Sequence, residues 1–447
     1  MKRKIDKYLL IWKEKKDRKP LILLGPRQIG KTYSVEKFAN DNFLEKIYIN
    51  FMDNNEIKEL LKDQTSPKII IEIISSFFQI TNLNKIIFIF DEIQEAPSIK
   101  TSLKMFCEQY PEIAIISLGS YLGNIVDKAS FPVGKVDILF MKPMDFEEFL
   151  WAKNQHELIN HFEEQLKKLQ PIEEIKHKLA IKHFFDYLII GGMPKALKAY
   201  IFTDDLVEAN LTKENIIFGY TSDIAKFIDY NTDKIKAMNI YDNIQRFLIN
   251  ENRRYKLSEI NKNARYRDYQ SAMTSLIKSN VIIKVNSTKN AISPLIMHEN
   301  DSSFKLYFND VGMLSTKLRV NKSMLGNENY GNIKGAMFEN YFVQELLNRV
   351  ETINYYAFML NGNRYEIDFI LENSDGNIVP IEIKSGNIYK SKSLNKFMEL
   401  HYNIKHGIIF SQKNYSYDEK NRVMTIPIYL LSFIKVDKLV KKIMPIQ

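Results

Sequence analysis

The N-terminal third of the chain predicts an α/β fold built on a parallel sheet. Short apolar runs alternate with helical patterns as far as about residue 150. The runs are continuously apolar rather than alternating, which is the pattern of strands covered on both faces. Two of them end in motifs that belong at the C-terminal ends of parallel strands.

The first run, Leu21 to Leu24, leads into Gly25-Pro26-Arg27-Gln28-Ile29-Gly30-Lys31-Thr32. This fits G-x-x-x-x-G-K-[ST], the P-loop. Glycines let the loop turn tightly enough for backbone N–H groups to surround phosphate oxygens, and the following helix points its N-terminus at the same charge. Lys31 is expected to bridge the terminal phosphates and Thr32 to ligate Mg2+. Lys46 to Ile49 is the second run. The third, Ile86 to Phe90, ends in Asp91-Glu92. That is the Walker B arrangement, in which Asp91 holds Mg2+ through water and Glu92 polarises the attacking water. Ala114 to Leu118 and Asp137 to Phe140 complete the strands. No Asn-Lys-x-Asp guanine-specificity box is present, so ATP is the expected nucleotide.

The 447 residues are too many for one ordinary core, so two to four domains are expected. No run approaches the apolar length that crosses a bilayer. Met1 to Lys19 is basic and lacks the apolar stretch of a secretory signal. The single cysteine, Cys107, excludes an intramolecular disulfide, and together these features predict a cytoplasmic protein. The net charge of +9 permits contact with a phosphate backbone without demanding it, because the chain is also heavy in Ile, Asn and Lys. The scattered His156, His161, His177 and His183 have no metal-ligand spacing.

Beyond Met144 the pattern turns helical and charged, broken by Gly191-Gly192-Met193-Pro194, where glycines stop one helix and proline aims the next. Arg265-Tyr266-Arg267-Asp268-Tyr269 opens a helix, and Asn280 to Val285 with Phe304 to Phe308 read as a hairpin. A basic helix followed by a hairpin suits DNA backbone contact, and equally suits packing beside an ATPase core. Gly326 to Gly335 reads as a linker.

In the last segment, period-two alternation puts Glu382 and Lys384 on one strand face, with Asp368 on the preceding strand. This is the D-x(n)-E-x-K arrangement of metal-dependent nucleases. Asp368 and Glu382 would hold Mg2+, Lys384 would orient or deprotonate water, and Glu339 on the helix from Gly335 would add an acidic ligand. The same residues also make an ordinary cross-strand ion-pair cluster.

The ordered blocks Gly25 to Thr32, Phe88 to Gln94, Leu118-Gly119-Ser120, Pro143 to Phe149, Gly191 to Pro194, Gly335 to Glu339 and Glu366 to Ile370 resemble a prokaryotic family of AAA-like ATPases fused to a C-terminal domain of unknown function. The resemblance implies a P-loop ATPase core over 1–150, a helical connector over 151–229, a winged-helix-like domain over 230–325 and a restriction-endonuclease-like domain over 326–447. Leu118 stands where relatives usually have Thr, which leaves Ser120 as the candidate γ-phosphate sensor. Gly134-Lys135 stands where relatives tend to have Gly-Arg, and Lys lacks the forked donor set of an arginine finger. The expected partners are ATP, DNA or another nucleic acid, and a second copy or another protein, with no membrane.

Overall fold

All five N-terminal apolar runs form strands: β1 (Leu21–Leu24), β2 (Glu45–Asn50), β3 (Ile86–Asp91), β4 (Ala114–Gly119) and β5 (Asp137–Phe140). They make one sheet of order β2-β3-β4-β1-β5. Every pairing in it is parallel. Leu24 therefore lies level with Gly119 and Phe140, and Phe90 with Ser117, so the strand ends gather on one edge. β1, β3 and β4 are buried along their whole length, as their unbroken apolar sequence requires. Helices Pro67–Phe77 and Pro97–Gln109, each begun by a proline whose missing N–H is no loss there, close one face. Ile70, Ile74, Ile99, Leu103 and Phe106 pack there against Ile47, Ile49, Phe88 and Phe90.

The computed structural model describes residues 1–83, 85–119, 134–227, 231–346, 349–350, 352–373, 375–386 and 391–434. It divides into two units, Met1–Pro143 with Lys278–Asn280, and Met144–Ile277 with Val281–Gln447. Among the described residues no helix is long and apolar enough to cross a membrane.

In the second unit, the expected hairpin forms as β6 (Ile282–Thr288) and β7 (Glu299–Phe308). It is joined by β8 (Ile353–Leu360), β9 (Asn363–Glu372), β10 (Ile378–Lys384), β11 (Gly407–Ser411), β12 (Ser416–Asp418) and β13 (Val423–Pro427). The eight run in the order β12-β13-β11-β10-β9-β8-β6-β7 with mixed directions. β6 pairs in parallel with β8, so one sheet runs across the segment boundary expected at 325/326. The physical reason is that β6 is mostly buried on both faces, and a buried strand must pair along both edges. The stretch read as a linker is also more ordered than its Asn and Gly content implied. It begins at the last residue of helix Lys322–Gly326 and holds the turn Glu328–Tyr330 and the start of helix Gly331–Leu346.

That last helix is buried from Gly335 to Leu346, and its buried amides are fully used. Asn340 accepts from the Phe308 N–H at 2.9 Å and donates to the Phe308 carbonyl at 3.0 Å. Gln344 accepts from the Val311 N–H at 2.6 Å and donates to the Tyr187 hydroxyl at 2.7 Å.

Gly191 ends helix Glu174–Ile190 with φ +80° and ψ −170°, a region essentially reserved for glycine. Pro194 starts the next helix, Pro194–Thr203. Gly192 donates to buried Asp310 at 2.6 Å and accepts from the Met144 N–H at 2.7 Å. Burial pushes the Asp310 carboxyl up to about 6 against the pull of the Gly192 N–H and Lys213. A Cβ at Gly192 would collide with the Met144 backbone, which has no side-chain freedom with which to yield. Gly192→Ala is expected to cost about 1–3 kcal/mol in denaturant unfolding. Gly326→Ala, with open space around it, should leave the midpoint unchanged.

Candidate nucleotide site and the C-terminal ion cluster

The P-loop connects the end of β1 to helix Lys31–Asn42, whose N-cap is Gly30 at φ +87°. Gln28 also takes a positive φ of 63°, so the loop reverses within a few residues. A side chain at Gly25 would collide with the Met141 carbonyl and with Ile29, so this glycine is required by space as well as by φ. The Lys31 ammonium is buried and donates to the Gly25 and Pro26 carbonyls, both at 2.8 Å. Burial pulls its pKa down to about 8, although Glu92 and Asp91 oppose the shift.

β4 lies between β1 and β3, yet parallel pairing brings the acidic pair to the P-loop edge. Thr32 Oγ1 donates to Asp91 Oδ2 at 2.7 Å, and the Tyr48 hydroxyl donates to the same oxygen at 2.9 Å. Asp91 Oδ1 accepts from the Glu92 N–H at 2.9 Å. Burial first, then Asp91, pushes the Tyr48 phenol well up, so it stays a donor. Glu92 sits at φ +53°, and its carboxylate accepts from the Gln94 side chain. Ser120, the expected sensor, lies outside the described residues. Lys135 pairs with Glu108 at 2.8 Å on the surface.

Three further residues belong to this site; Tyr48 and Arg3 lie in no motif, and Gln94 closes the Phe88 to Gln94 block. Tyr48 comes from β2, where the alternation that buries Ile47 and Ile49 turns it to the other face. Gln94 follows the acidic pair in the turn Ile93–Glu95. Arg3 caps helix Lys4–Lys13, which packs by Ile5, Leu9 and Trp12. Its guanidinium bridges the Ile29 carbonyl at 2.7 Å and the Lys142 carbonyl at 2.6 Å, so it ties down the loop from behind. Tyr48 is at least readable as the polar phase of an edge strand. Arg3 has no sequence signal, because its helix reads only as a basic terminus.

The glycine cradle, the buried ammonium, and the Thr32 hydroxyl against Asp91 suit a nucleoside triphosphate with Mg2+. Residues 25–32 would cradle the phosphates, and Thr32 and Asp91 would hold the ion.

In the second unit the nuclease-like residues do come together. β9 and β10 are antiparallel with Phe369 opposite Ile381, and Asp368 Oδ2 accepts from the Ile383 N–H at 2.8 Å. Lys384 Nζ donates to Glu382 Oε1 at 2.7 Å, so the two share a face as their spacing predicts. Burial, then Asp368, pushes the Glu382 carboxyl up to about 7 while Lys384 opposes it. Glu339, expected as a further metal ligand, is engaged otherwise. Arg253 donates to its Oε1 and Tyr307 to its Oε2 at 3.0 Å, with Lys305 Nζ 3.9 Å away. Among the described residues no group of three or more His, Cys, Asp or Glu is arranged to hold a metal ion.

Residues 17–150 match the model of an AAA domain. Residues 181–324 and 334–431 match two domains of unknown function, DUF8612 and DUF4143. No curated protein matches the chain. Among solved structures, a Walker-type ATPase of Pyrococcus abyssi is 18% identical over 71% of this chain and 96% of that chain, with a TM-score of 0.46. The Aeropyrum pernix ORC1 protein in complex with DNA is 11% identical over 77% of this chain and 92% of that chain, with a TM-score of 0.29. Drosophila ORC bound to DNA is 11% identical over 70% of this chain and 93% of that chain, with a TM-score of 0.28. Residues 17–150 thus join the P-loop motif and the parallel strand order to a match with an AAA domain, which supports a P-loop ATPase.

Proposed function

We propose that the chain is a Mg2+-dependent ATPase whose nucleotide state controls a second unit that contacts nucleic acid. The observation that carries the ATPase reading is the 2.7 Å hydrogen bond from Thr32 to Asp91, which closes the P-loop onto the acidic strand end. Lys31 supplies the positive charge that meets the terminal phosphates. Tyr48 holds Asp91 in place, leaving Glu92 next to it as the group that takes a proton from water. Mg2+, held by Thr32 and Asp91, would supply positive charge that offsets the negative charge building on the phosphates.

The nucleic-acid part rests on Lys262, Arg265 and Arg267, which are exposed at and just before the start of helix Tyr266–Lys278. Exposed cations at a helix start suit phosphate contact. A second reading, a slow nucleotide-controlled switch, is favoured by the Gln94 bond to Glu92, which occupies the carboxylate that water activation needs.

Lys31→Ala is expected to abolish ATP binding. Glu92→Gln should keep binding and lower kcat by roughly 10²–10⁴-fold. Turnover of Glu92→Gln at the wild-type rate, measured by phosphate release, would remove Glu92 from this role.

The pH dependence has a definite sign. Phosphate binding needs the Lys31 proton, and that group is charged below about 8 and neutral above. ATP affinity, measured by fluorescence titration, should therefore fall by up to about tenfold per pH unit above that point. Lys31→Arg, always charged, should lose this dependence even if its affinity is lower.

Lys262→Ala, Arg265→Ala and Arg267→Ala combined should weaken binding to any DNA sequence. The slope of log affinity against log salt should become shallower by up to about 3. An unchanged slope in anisotropy titrations would place the DNA contact elsewhere.

A further inference from the structure

The residues that resemble a nuclease centre do not fit the Mg2+ that such a centre needs. Five cations face four carboxylates: Arg253, Arg254, Lys305, Arg364 and Lys384 against Glu339, Glu366, Asp368 and Glu382. Both oxygens of Glu339 are already taken, by Arg253 and by Tyr307. Lys305 is almost completely buried and lies 3.1 Å from Glu366 Oε1. Arg254 approaches Glu366 Oε2 at 3.2 Å. The Arg254 and Lys305 charges also lie 5.5 and 4.9 Å from the Tyr355 ring centroid. Lys384 occupies one oxygen of Glu382, and the Ile383 N–H occupies one of Asp368.

Mg2+ takes six oxygen ligands in near-ideal octahedral geometry and brings two positive charges. Here the carboxylates are already balanced, and fixed ammonium and guanidinium groups occupy oxygens a metal would use. A Glu382 Oε2 without a hydrogen-bond partner is one oxygen, not a ligand set.

Arg253 reaches Glu339 across the backbone at Gly335, and a Cβ at that position would collide with its guanidinium. The glycine four residues before Glu339 is thus explained by the passage of the arginine. Arg253 follows helix Asn231–Leu248, and Lys305 lies on β7. Both are delivered by the segment whose hairpin joins the C-terminal sheet.

We infer that this cluster is a self-neutralised, metal-free ion network that fastens the 253–305 segment to helix Gly331–Leu346 and to β9, with the Lys384–Glu382 pair of β10 beside it. Metal-dependent phosphodiester cleavage is not performed there. The inference rests on the second unit alone and stands whether or not the ATPase reading holds.

The test uses the full chain carrying Lys31→Ala, which silences nucleotide-linked metal binding at the P-loop. Calorimetric titration with Mn2+ should give a signal unaltered by adding Asp368→Asn or Glu382→Gln. Wild type and Lys384→Ala should both leave single- and double-stranded DNA and RNA intact with Mg2+ or Mn2+. Arg253→Met should lower the melting temperature by several degrees in chelator, because it leaves Glu339 buried with less compensation. Mn2+ binding lost at least tenfold in Asp368→Asn or Glu382→Gln would overturn the inference. So would cleavage by wild type but not by Lys384→Ala, or an Arg253→Met protein that melts like its parent.

Discussion

Parallel pairing of β1, β4 and β3 is the constraint on which the nucleotide site depends. The P-loop and the acidic pair lie some sixty residues apart in the chain and on strands that do not touch. Parallel direction sends both strand ends to one edge, and the register then sets their depth. With Leu24 level with Gly119 and Phe90 level with Ser117, Thr32 can reach Asp91 directly. An antiparallel β3 would carry the same residues to the opposite edge. The unbroken burial of these strands makes the arrangement rigid, because no face is free to slide or twist out.

Around that frame the polar groups are held by atoms that do no chemistry. Arg3 fixes the loop through two carbonyls, and Tyr48 shares Asp91 with Thr32. Buried charged and polar groups persist only when nearly every lone pair and proton has a partner. Lys31 shows the cost of the alternative. Two carbonyls satisfy its ammonium, yet burial still lowers its affinity for the proton.

The second unit uses the same principle on a larger scale. Asn340 and Gln344 saturate backbone groups at the end of β7 and the start of helix Val311–Leu318, and Asp310 does so at Gly192. In the ion cluster beside them the charges are many and several are buried. Three of its cations, Arg253, Arg254 and Lys305, come from a segment far away in the chain, so its balance is a property of the fold and not of the Asp368, Glu382 and Lys384 spacing alone.

Local order in the chain was enough to find all five strands of the first sheet, the P-loop, Asp91-Glu92, the β6–β7 hairpin and the Gly191–Pro194 break. Each is written in short-range terms: apolar period, glycine conformations, proline's missing donor. The same short-range terms bring Asp368, Glu382 and Lys384 together, because a hairpin and a period of two suffice. Arg3, Tyr48 and Arg253 have partners that no local pattern records, because they meet them across 26, 43 and 86 residues. The pairing of β6 with β8 is likewise long-range. Such pairings follow from which buried edges and charges remain unsatisfied once the elements have packed, and no periodicity in the chain records that. Only the folded arrangement decides whether a carboxylate meets a metal or an arginine.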